Sequence, residues 1–347
     1  MCKEGSLVRF NTNHLNYNIL EYNNNYKGIL NYKIYKKVIK KWLKMDCRFC
    51  KHSLEDVFLD LGYAPPSNSF LPEQDLDKPD IYLPLKAFLC DKCFLVQIPE
   101  SKSHSDIFGE DYAYFSSSSQ GWVEHARNYV NMMIEKFSID ENRKVIEIAS
   151  NDGYLLQHFH ARRVPVLGIE PSERIAQIAR TKGINTINNF FGQNLADTLK
   201  RVGTNADLLI GNNVLAHVPD LHSFVEGMKI LLKEDGLITM EFPHIMRMIE
   251  NCEFDTIYHE HFSYFSFLTV NNVFEYHGLN IFDVEELPTH GGSLRIYAKH
   301  KDDYSKKISE NVARLLDKEK SKGMNRAEYY HGFKERVEKT KYELLEF

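Results

Sequence analysis

The stretch TIYHEHFSYFS (residues 256–266) concentrates side chains that can transfer protons or bind a metal ion. Tyr258, His259, Glu260 and His261 are consecutive. A histidine that a carboxylate and a phenol orient can serve as a general base near neutral pH. A metal site would need a further ligand, because consecutive residues cannot all face one ion without a sharp turn. Core packing of the aromatic residues is the third interpretation, and the residue types favour acid–base chemistry.

Two CxxC pairs, Cys47/Cys50 and Cys90/Cys93, are separated by 39 residues. Each pair can form a tight turn that aims both sulfurs at one point, so four thiolates can surround one ion tetrahedrally. The spacing predicts a zinc site, with iron in the same geometry as the alternative. Because four cysteines leave no open coordination position, we expect the ion to stabilise a module with few core residues.

A strand, a short turn and a helix are predicted over VIEIASNDGYLL (residues 145–156). The turn carries Ala149, Ser150 and Gly153 where a pyrophosphate cradle would have GxGxxG, so it favours a close approach to an uncharged part of a ligand. The next predicted strand ends at Glu170. A carboxylate at that place can accept hydrogen bonds from both hydroxyls of a ribose.

Further polar residues follow the same predicted strand ends. Asn151 and Asp152 either reach the ligand or cap the following helix. IGNNVLAHVPD (residues 210–220) takes in the end of a later strand, and carboxyl ends of parallel strands line the ligand crevice. We therefore expect Asn212, Asn213 and His217 to face that crevice, although an isolated histidine is more often a helix-surface or capping residue.

From residue 144 onwards, short β-rich runs alternate with helical patterns, which predicts a parallel, doubly wound sheet. Strands are expected at 144–150, 164–170, 184–188, 206–215 and 236–242. FSSSSQ is predicted to cap a helix with one apolar stripe, and two late runs joined by a Gly-rich turn predict a hairpin at the sheet edge. Together these features resemble the S-adenosylmethionine (SAM) methyltransferase fold. We predict an α/β, Rossmann-like sheet with a reversed edge hairpin, preceded by a small zinc-binding module.

Composition and charge limit the classes of function. The chain has 347 residues, 43% hydrophobic and 26% charged, which are values of a globular protein with more than one unit. A net charge of −5 offers no case for nucleic acid, and no apolar run approaches the roughly 20 residues of a membrane span. Since nothing is similar to a signal peptide, we expect a soluble cytoplasmic protein.

Four segments are predicted along the chain. Residues 1–44, with nine Lys/Arg against two Asp/Glu, are expected to be a disordered extension, or alternatively a basic arm for an acidic partner. Residues 45–115 form the zinc-binding module with its substrate-side linker. Residues 116–300 are expected to form the SAM-dependent methyltransferase domain. Residues 301–347 are expected to form a charged helical segment, with the start of a truncated C-terminal domain as one interpretation.

Nine short motifs occur in this order along the chain: CRFC, CDKC, EDYAYFSSSSQGW, EIASNDG, GIEPS, NNVLAHVPD, EFPH, YHEHFSYFS and HGGSLR. This series resembles the SAM-dependent sugar C-methyltransferases over roughly residues 45–300. That family acts on nucleotide-linked 4-keto-6-deoxyhexoses. The resemblance implies that a base removes the proton at C3, beside the ketone, and that the enolate carbon then attacks the methyl group of SAM.

The resemblance also implies roles for individual residues. His261, the second histidine of YHEH, matches the base, and Tyr258 and Glu260 are its companions. Tyr112 and His217 match residues that contact the sugar or stabilise the enolate oxygen. Contacts to SAM are implied for Glu147, Ser150, Asp152, Gly153, Glu170 and Asn213. Arg295 and the backbone of HGGSLR (residues 290–295) either touch the substrate's phosphates or form a hairpin turn.

Three other functions compete with sugar C-methylation. An RNA base methyltransferase would need a basic face, which residues 45–347 do not offer. A sugar O-methyltransferase would place the same base beside a hydroxyl group. A non-catalytic SAM-binding protein is the third, because family members usually continue into a further α/β domain that this chain is expected to lack. The sequence identifies neither the nucleotide, nor the sugar, nor the oligomeric state.

Overall fold

The computed structural model describes residues 45–347, apart from residues 72, 110, 111 and 113. The basic extension predicted at 1–44 lies outside the described residues. Within them, two sheets and the helices that pack on them account for most of the chain. None of the described helices combines the length and the apolar character that crossing a membrane requires.

The larger sheet has seven strands and confirms the predicted doubly wound architecture. Its strands are β4 (Val145–Ile148), β5 (Val166–Ile169), β6 (Thr186–Ile187), β7 (Ala206–Asn212), β8 (Leu232–Pro243), β10 (Leu279–Leu287) and β11 (Ser293–His300). Their spatial order is β10-β11-β8-β7-β4-β5-β6. The pairs from β6 to β8 are parallel, whereas β11 is antiparallel to both of its neighbours. The reversed edge hairpin is therefore present.

Burial explains why these runs form strands rather than helices. Every residue of β4 and β7 is buried, as expected of parallel strands that are covered on both faces. One boundary differs from the prediction, since β8 begins at Leu232 and not at Gly236. The helical pattern before it stops at Leu231 because Leu232 pairs with Ala206 of β7.

Ten α-helices are assigned among the described residues, in addition to short 3-10 helices. They are α1 (His104–Ile107), α2 (Gln120–Phe137), α3 (Leu156–His160), α4 (Glu173–Thr181), α5 (Gln193–Arg201), α6 (Leu221–Leu231), α7 (Ile245–Asn251), α8 (Phe267–Tyr276), α9 (Glu310–Ser321) and α10 (Glu328–Glu346). The predicted cap of α2 is confirmed, because Ser119 Oγ accepts a hydrogen bond from the backbone of Trp122. The stripe that α2 buries includes Ala126, Tyr129 and Met133.

The smaller sheet joins the cysteine-bearing module to the YHEH segment. It consists of β1 (Asp56–Ala64), β2 (Leu83–Leu89), β3 (Val96–Gln97) and β9 (Ser263–Tyr264), in that order. The last of these strands begins two residues after His261 and pairs antiparallel with β3. A backbone bridge between His244 and Phe265 then links the same segment to the end of β8. The YHEH segment is thus anchored to both sheets.

A buried carboxylate attaches the C-terminal helices to this framework. Glu319 on α9 is fully buried, and its Oε1 atom accepts hydrogen bonds from His244 Nε2 and from the backbone of Phe267, both at 2.6 Å. Its Oε2 atom accepts one from the backbone of Leu268 at 2.7 Å. Glu319 therefore satisfies backbone donors in the first turn of α8, where a negative charge is favourable.

Replacing Glu319 by alanine should destabilise the protein strongly, because three buried donors would lose their acceptor. Each unsatisfied donor costs about 1–3 kcal/mol, so we expect the free energy of unfolding to fall by about 3 kcal/mol or more. Urea denaturation measures the change. Asp317→Ala, an exposed position on the same helix, is the matched control and should stay within about 0.5 kcal/mol of wild type. Equal stability of the two variants would contradict the assigned role.

Candidate active site

A cavity of about 460 Å³ lies where the parallel strands of the larger sheet end. Glu170, Asn213, His217 and His261, from four separate segments, all contribute to its wall. Further lining residues include Asn68, Tyr112, Tyr114, Trp122, Asn212, Tyr258, Glu260 and His290. The structure therefore brings together, in one cavity, all five residues predicted to act on the substrate and two of those predicted to bind SAM.

His261 is held in a defined tautomer. Its Nδ1 atom lies 2.9 Å from the carbonyl oxygen of Thr256, which can only accept a hydrogen bond, so Nδ1 carries the proton. Its Nε2 atom lies 2.9 Å from the hydroxyl of Tyr258, which donates to it. The lone pair of Nε2 is therefore directed at a phenol on the cavity wall and is available to accept a proton.

His217 is oriented in the same way. Its Nδ1 atom donates to the backbone carbonyl of Glu260 at 2.8 Å, so its Nε2 atom is the unprotonated nitrogen. The rings of His217 and His261 lie 4.6 Å apart between centroids, with an angle of 64° between their planes. Phe108 packs edge-on against His217 and also against Tyr112. Two neutral imidazoles and two phenols thus share one side of the cavity.

Burial is the main cause of the pKa shifts in this cluster. Desolvation lowers the pKa of His261 well below its ordinary value, and electrostatic repulsion from the neighbouring His217 adds to this shift. Desolvation also lowers the pKa of His217 to about 4, against a smaller opposing effect of the hydrogen bond to Glu260. It raises the pKa of Tyr112 and of Tyr258, and the charge of Glu260 adds to both shifts. At neutral pH both histidines are uncharged and both tyrosines are protonated.

Glu260 is bound by a loop that the sequence analysis did not single out. Ser67 Oγ and Asn68 Nδ2 donate to the same oxygen, Oε1, at 2.8 and 2.7 Å. Both residues belong to the proline-rich loop between β1 and β2. Asn68 also lines the cavity and adopts a left-handed backbone conformation, with φ of 56°. The sequence signal was weak, because serine and asparagine are ordinary turn residues after PP.

The turn after β4 brings the backbone close to Glu170. Ala149 and Asn151 have positive φ angles of 54° and 48°, which are uncommon for residues other than glycine. In this conformation the backbone N–H of Asn151 donates to Glu170 Oε2, and that of Ser172 donates to Oε1. Burial raises the pKa of Glu170 to about 7, although both hydrogen bonds oppose the shift.

Four of the residues predicted to contact SAM lie behind the cavity wall. Glu147, Ser150, Asp152 and Gly153 do not line the cavity. Lys182 Nζ lies 3.0 Å from Asp152 Oδ2. In Gly153, which has a φ of +78°, an added Cβ would approach the side chain of Ile184 to 3.1 Å. One polar atom each of Glu147, Ser150 and Asp152 is buried without a hydrogen-bond partner among the described residues, so their predicted contact with SAM stays a prediction.

Unpartnered polar atoms show that the cavity suits a polar ligand such as SAM. The Oδ1 atoms of Asn212 and Asn213 are buried without a hydrogen-bond partner among the described residues, and both side chains line the cavity. Asn213 has a positive φ of 52°, and its backbone donates to the carbonyl of Glu241. Amide oxygens and the Glu170 carboxylate are acceptors for the ammonium and ribose hydroxyl groups of SAM.

Arg295 forms internal ion pairs rather than facing the cavity. The residue is buried; its Nη2 atom lies 2.9 Å from Glu241 Oε2 and its Nη1 atom 3.2 Å from Glu285 Oε2. The preceding glycines are required by the turn, since an added Cβ on Gly291 would come within 2.1 Å of Glu253. The arrangement favours the hairpin interpretation of HGGSLR over phosphate binding through this guanidinium.

The four cysteines of the two CxxC pairs form one cluster. Cys47 Sγ lies 3.5 Å from Cys93 Sγ, Cys50 Sγ lies 3.4 Å from Cys90 Sγ, and all four sulfurs lie within 4.8 Å of one another. A tetrahedron with zinc–sulfur bonds of about 2.3 Å separates its sulfurs by about 3.8 Å, so the cluster fits zinc. Among the described residues it is the one group of this kind, and YHEH forms no second metal site.

The surroundings of the cluster also suit thiolate ligands. Each pair is followed by a residue in the left-handed conformation, Lys51 and Phe94, both with φ of 59°, which closes the turn around the sulfurs. Gln97, which is buried, donates from Nε2 to Cys47 Sγ at 3.2 Å. Hydrogen bonds from Cys90 and Cys93 hold the pKa of the Cys47 thiol far below its usual value. Such outer contacts orient metal ligands.

The seven-stranded sheet with its reversed strand, and the cavity at the ends of its parallel strands, define the class of SAM-dependent methyltransferases. Three family models match successive parts of the chain. They are "Putative zinc binding domain" at residues 47–108, "Methyltransferase domain" at 122–284 and "C-methyltransferase C-terminal domain" at 288–347.

The chain is also similar to individual proteins. C-methyltransferase NovU of Streptomyces niveus is 31% identical over 304 residues, which are 87% of this chain and 71% of that protein. The PH0226 protein of Pyrococcus horikoshii is 13% identical with a TM-score of 0.43, over 54% of this chain and 95% of that one. Magnesium protoporphyrin IX methyltransferase of Synechocystis, solved with SAM, is 15% identical with a TM-score of 0.39, over 51% of this chain and 79% of that one. The chain belongs to the family of SAM-dependent C-methyltransferases.

Loss of one cysteine of the cluster should release the metal. We expect wild-type protein to hold about one zinc ion per chain and Cys90→Ser to hold little, because three thiolates bind more weakly and the module loses its folding free energy. Inductively coupled plasma mass spectrometry and thermal unfolding measure both effects. Cys252→Ser is the control, since Cys252 lies outside the cluster. Full zinc occupancy in Cys90→Ser would exclude the four-cysteine site.

Proposed function

We propose that this enzyme transfers the methyl group of SAM to C3 of a nucleotide-linked 4-keto-6-deoxy sugar. His261 is the base that removes the C3 proton. The observation that carries the proposal is the state of His261, which is uncharged, with Nδ1–H bound to Thr256 and the Nε2 lone pair on the cavity side. An amide carbonyl fixes the tautomer in the way that a catalytic base requires.

The reaction begins with the transfer of a proton to this nitrogen. The ketone at C4 acidifies the C3 hydrogen, whose proton passes to His261 Nε2 while the C–H electron pair becomes the enolate. Tyr258 donates to the same nitrogen in the structure, so its hydroxyl must turn to another acceptor when the sugar enters. SAM supplies a methyl group that its sulfonium already activates, so the enolate needs only to be placed in line with it.

The remaining residues of the cluster stabilise the charge and hold the sugar. Tyr112 keeps its proton because its pKa is raised, and it donates a hydrogen bond to the developing enolate oxygen. His217 has its proton on Nδ1, so its Nε2 atom accepts a hydrogen bond from a sugar hydroxyl rather than donating to the oxygen. Glu260, fixed by the β1–β2 loop, is a second acceptor on the same wall.

SAM occupies the part of the cavity between Glu170 and Asn213. Glu170 accepts the ribose hydroxyls, and the unpartnered amide oxygens of Asn212 and Asn213 accept donors of SAM. Glu147, Ser150, Asp152 and Gly153 support this site indirectly by fixing the turn after β4. The four cysteines hold a structural zinc ion, which takes no part in the chemistry because it has no open position.

Exchange of the C3 hydrogen separates carbon methylation from oxygen methylation. In D2O with S-adenosylhomocysteine, wild-type protein should wash out the C3 proton of its 4-keto-6-deoxy sugar, and His261→Asn should do so at least about a hundred times more slowly. Proton NMR of a panel of nucleotide-linked sugars measures the rate. His300→Asn, on β11 with its ring bound to the carbonyl of Leu232, is the control and should exchange at the wild-type rate.

Two results would count against carbon-acid chemistry at this site. If His261→Asn exchanges as fast as wild type, another group is the base. If S-adenosylhomocysteine binds but no sugar of the panel exchanges while a sugar hydroxyl is methylated, the enzyme is an O-methyltransferase.

The exchange rate should be insensitive to moderate acid. A base works only when it is unprotonated, and a lowered pKa keeps His261 unprotonated at a pH where an ordinary histidine, with a pKa of about 6.5, is charged. With S-adenosylhomocysteine and sugar both saturating, so that titration of Glu170 near pH 7 does not limit binding, we therefore expect a constant rate between about pH 8 and about pH 5.5. Exchange measured across this range checks the expectation. A fall to half the maximal rate near pH 6.5 would show that burial does not control the base.

A further inference from the structure

The side chain of Arg48 leaves the cysteine cluster and reaches the catalytic segments. Arg48 directly follows Cys47 in the first CxxC pair. Its Nη1 atom donates to the carbonyl of Pro219 at 3.1 Å, and its Nη2 atom donates to the carbonyl of Ile98 at 2.6 Å. The guanidinium also lies over the ring of Phe262, 5.5 Å from its centroid.

Each of these contacts is next to a residue of the active site. Pro219 lies two residues after His217, and Phe262 directly follows His261. Ile98 in turn donates its backbone N–H to the carbonyl of Phe262 at 3.1 Å. One guanidinium therefore connects the chain segments that carry both imidazoles, and Pro219 itself lines the cavity.

The cysteine cluster fixes the base of this side chain. The backbone N–H of Arg48 donates to Gln97 Oε1 at 2.9 Å, while Nε2 of the same glutamine donates to Cys47 Sγ at 3.2 Å. A tight CxxC turn leaves the intervening backbone little freedom. The planar fork of a guanidinium is itself rigid, so a position fixed at the cysteines is transmitted to both carbonyl groups.

We propose that Arg48 is a positioning residue that aligns His217 and His261 for proton transfer. The cysteine turn fixes the backbone of Arg48, and the guanidinium then holds the two segments that carry the imidazoles. This inference rests on the proposed function for its kinetic part only. A misplacement of about 1 Å in an active site can lower a rate by roughly a hundredfold. A merely structural Arg48 would change stability without altering the state of the two imidazoles.

The test compares Arg48→Ala and Arg48→Lys with a matched control at the other pair. Asp91 occupies the same place after Cys90, but it is exposed and contacts His52. Zinc content and thermal unfolding first establish that Asp91→Ala and the Arg48 variants are folded and loaded. Arg48→Lys keeps the positive charge but lacks the planar guanidinium. It provides a second test if Arg48→Ala does not fold.

Nitrogen-15 NMR of the imidazoles is the readout that is independent of activity. Wild type and Asp91→Ala should show the Nδ1–H tautomer for His217 and for His261. In both Arg48 variants we expect at least one ring to exchange between tautomers, because the bonds to Glu260 and Thr256 are no longer held in place. Retention of both Nδ1–H signals in folded Arg48→Ala would overturn the proposal, whatever the wild-type activity.

The kinetic readout distinguishes this inference from the proposed function. If wild type exchanges the C3 proton, kcat for exchange should fall roughly tenfold to a hundredfold in both Arg48 variants, with KM nearly unchanged. A kcat within twofold of Asp91→Ala would contradict the inference. If wild type exchanges no sugar at all, the proposed function fails, and the NMR comparison still decides the role of Arg48.

Discussion

The hydrogen bonding of one short segment to two sheets is the constraint on which the rest of the site depends. Ser263 and Tyr264 complete the sheet of the cysteine-bearing module, and Phe265 bridges to the end of β8. His261 lies at the start of this segment, and its Nδ1–H is bound to the carbonyl of Thr256. Neither sheet can shift relative to the other without displacing the imidazole. The cysteine-bearing module is therefore joined by backbone hydrogen bonds to the segment that carries His261.

Desolvation then sets the protonation states of the side chains that the two sheets bring into the cavity. Imidazoles in water near neutral pH are partly charged, but burial makes the charged form costly and lowers their pKa. In His217 and His261 this effect is combined with carbonyl acceptors that fix the tautomer. The same dry environment raises the pKa of Tyr112 and keeps it a donor. One physical cause thus provides an acceptor for a proton and a donor for an anion within a single cavity.

Local patterns in the sequence predicted the features that neighbouring residues determine, such as strands, helix caps and the CxxC turns. The five parallel strands, the capped helix α2, the reversed hairpin and the clustering of four cysteines were all confirmed. The contacts of Glu260 with Ser67 and Asn68, about 190 residues apart in the chain, left no periodic signal. The same holds for Glu319 with α8 and for Arg48 with Pro219, because each pairs a common residue type with a backbone group that every residue has.

Three carboxyl groups lie near the turn after β4, and their different surroundings give them different partners and different pKa shifts. The Oδ2 atom of Asp152 is paired with Lys182, whereas its Oδ1 atom is buried without a partner among the described residues. Glu147 has an unpartnered oxygen, and burial with the repulsion of Glu170 raises its pKa well above the ordinary value. Glu170 alone combines two backbone N–H donors with a place on the cavity wall. Of the three acids, it is the one that lines the cavity.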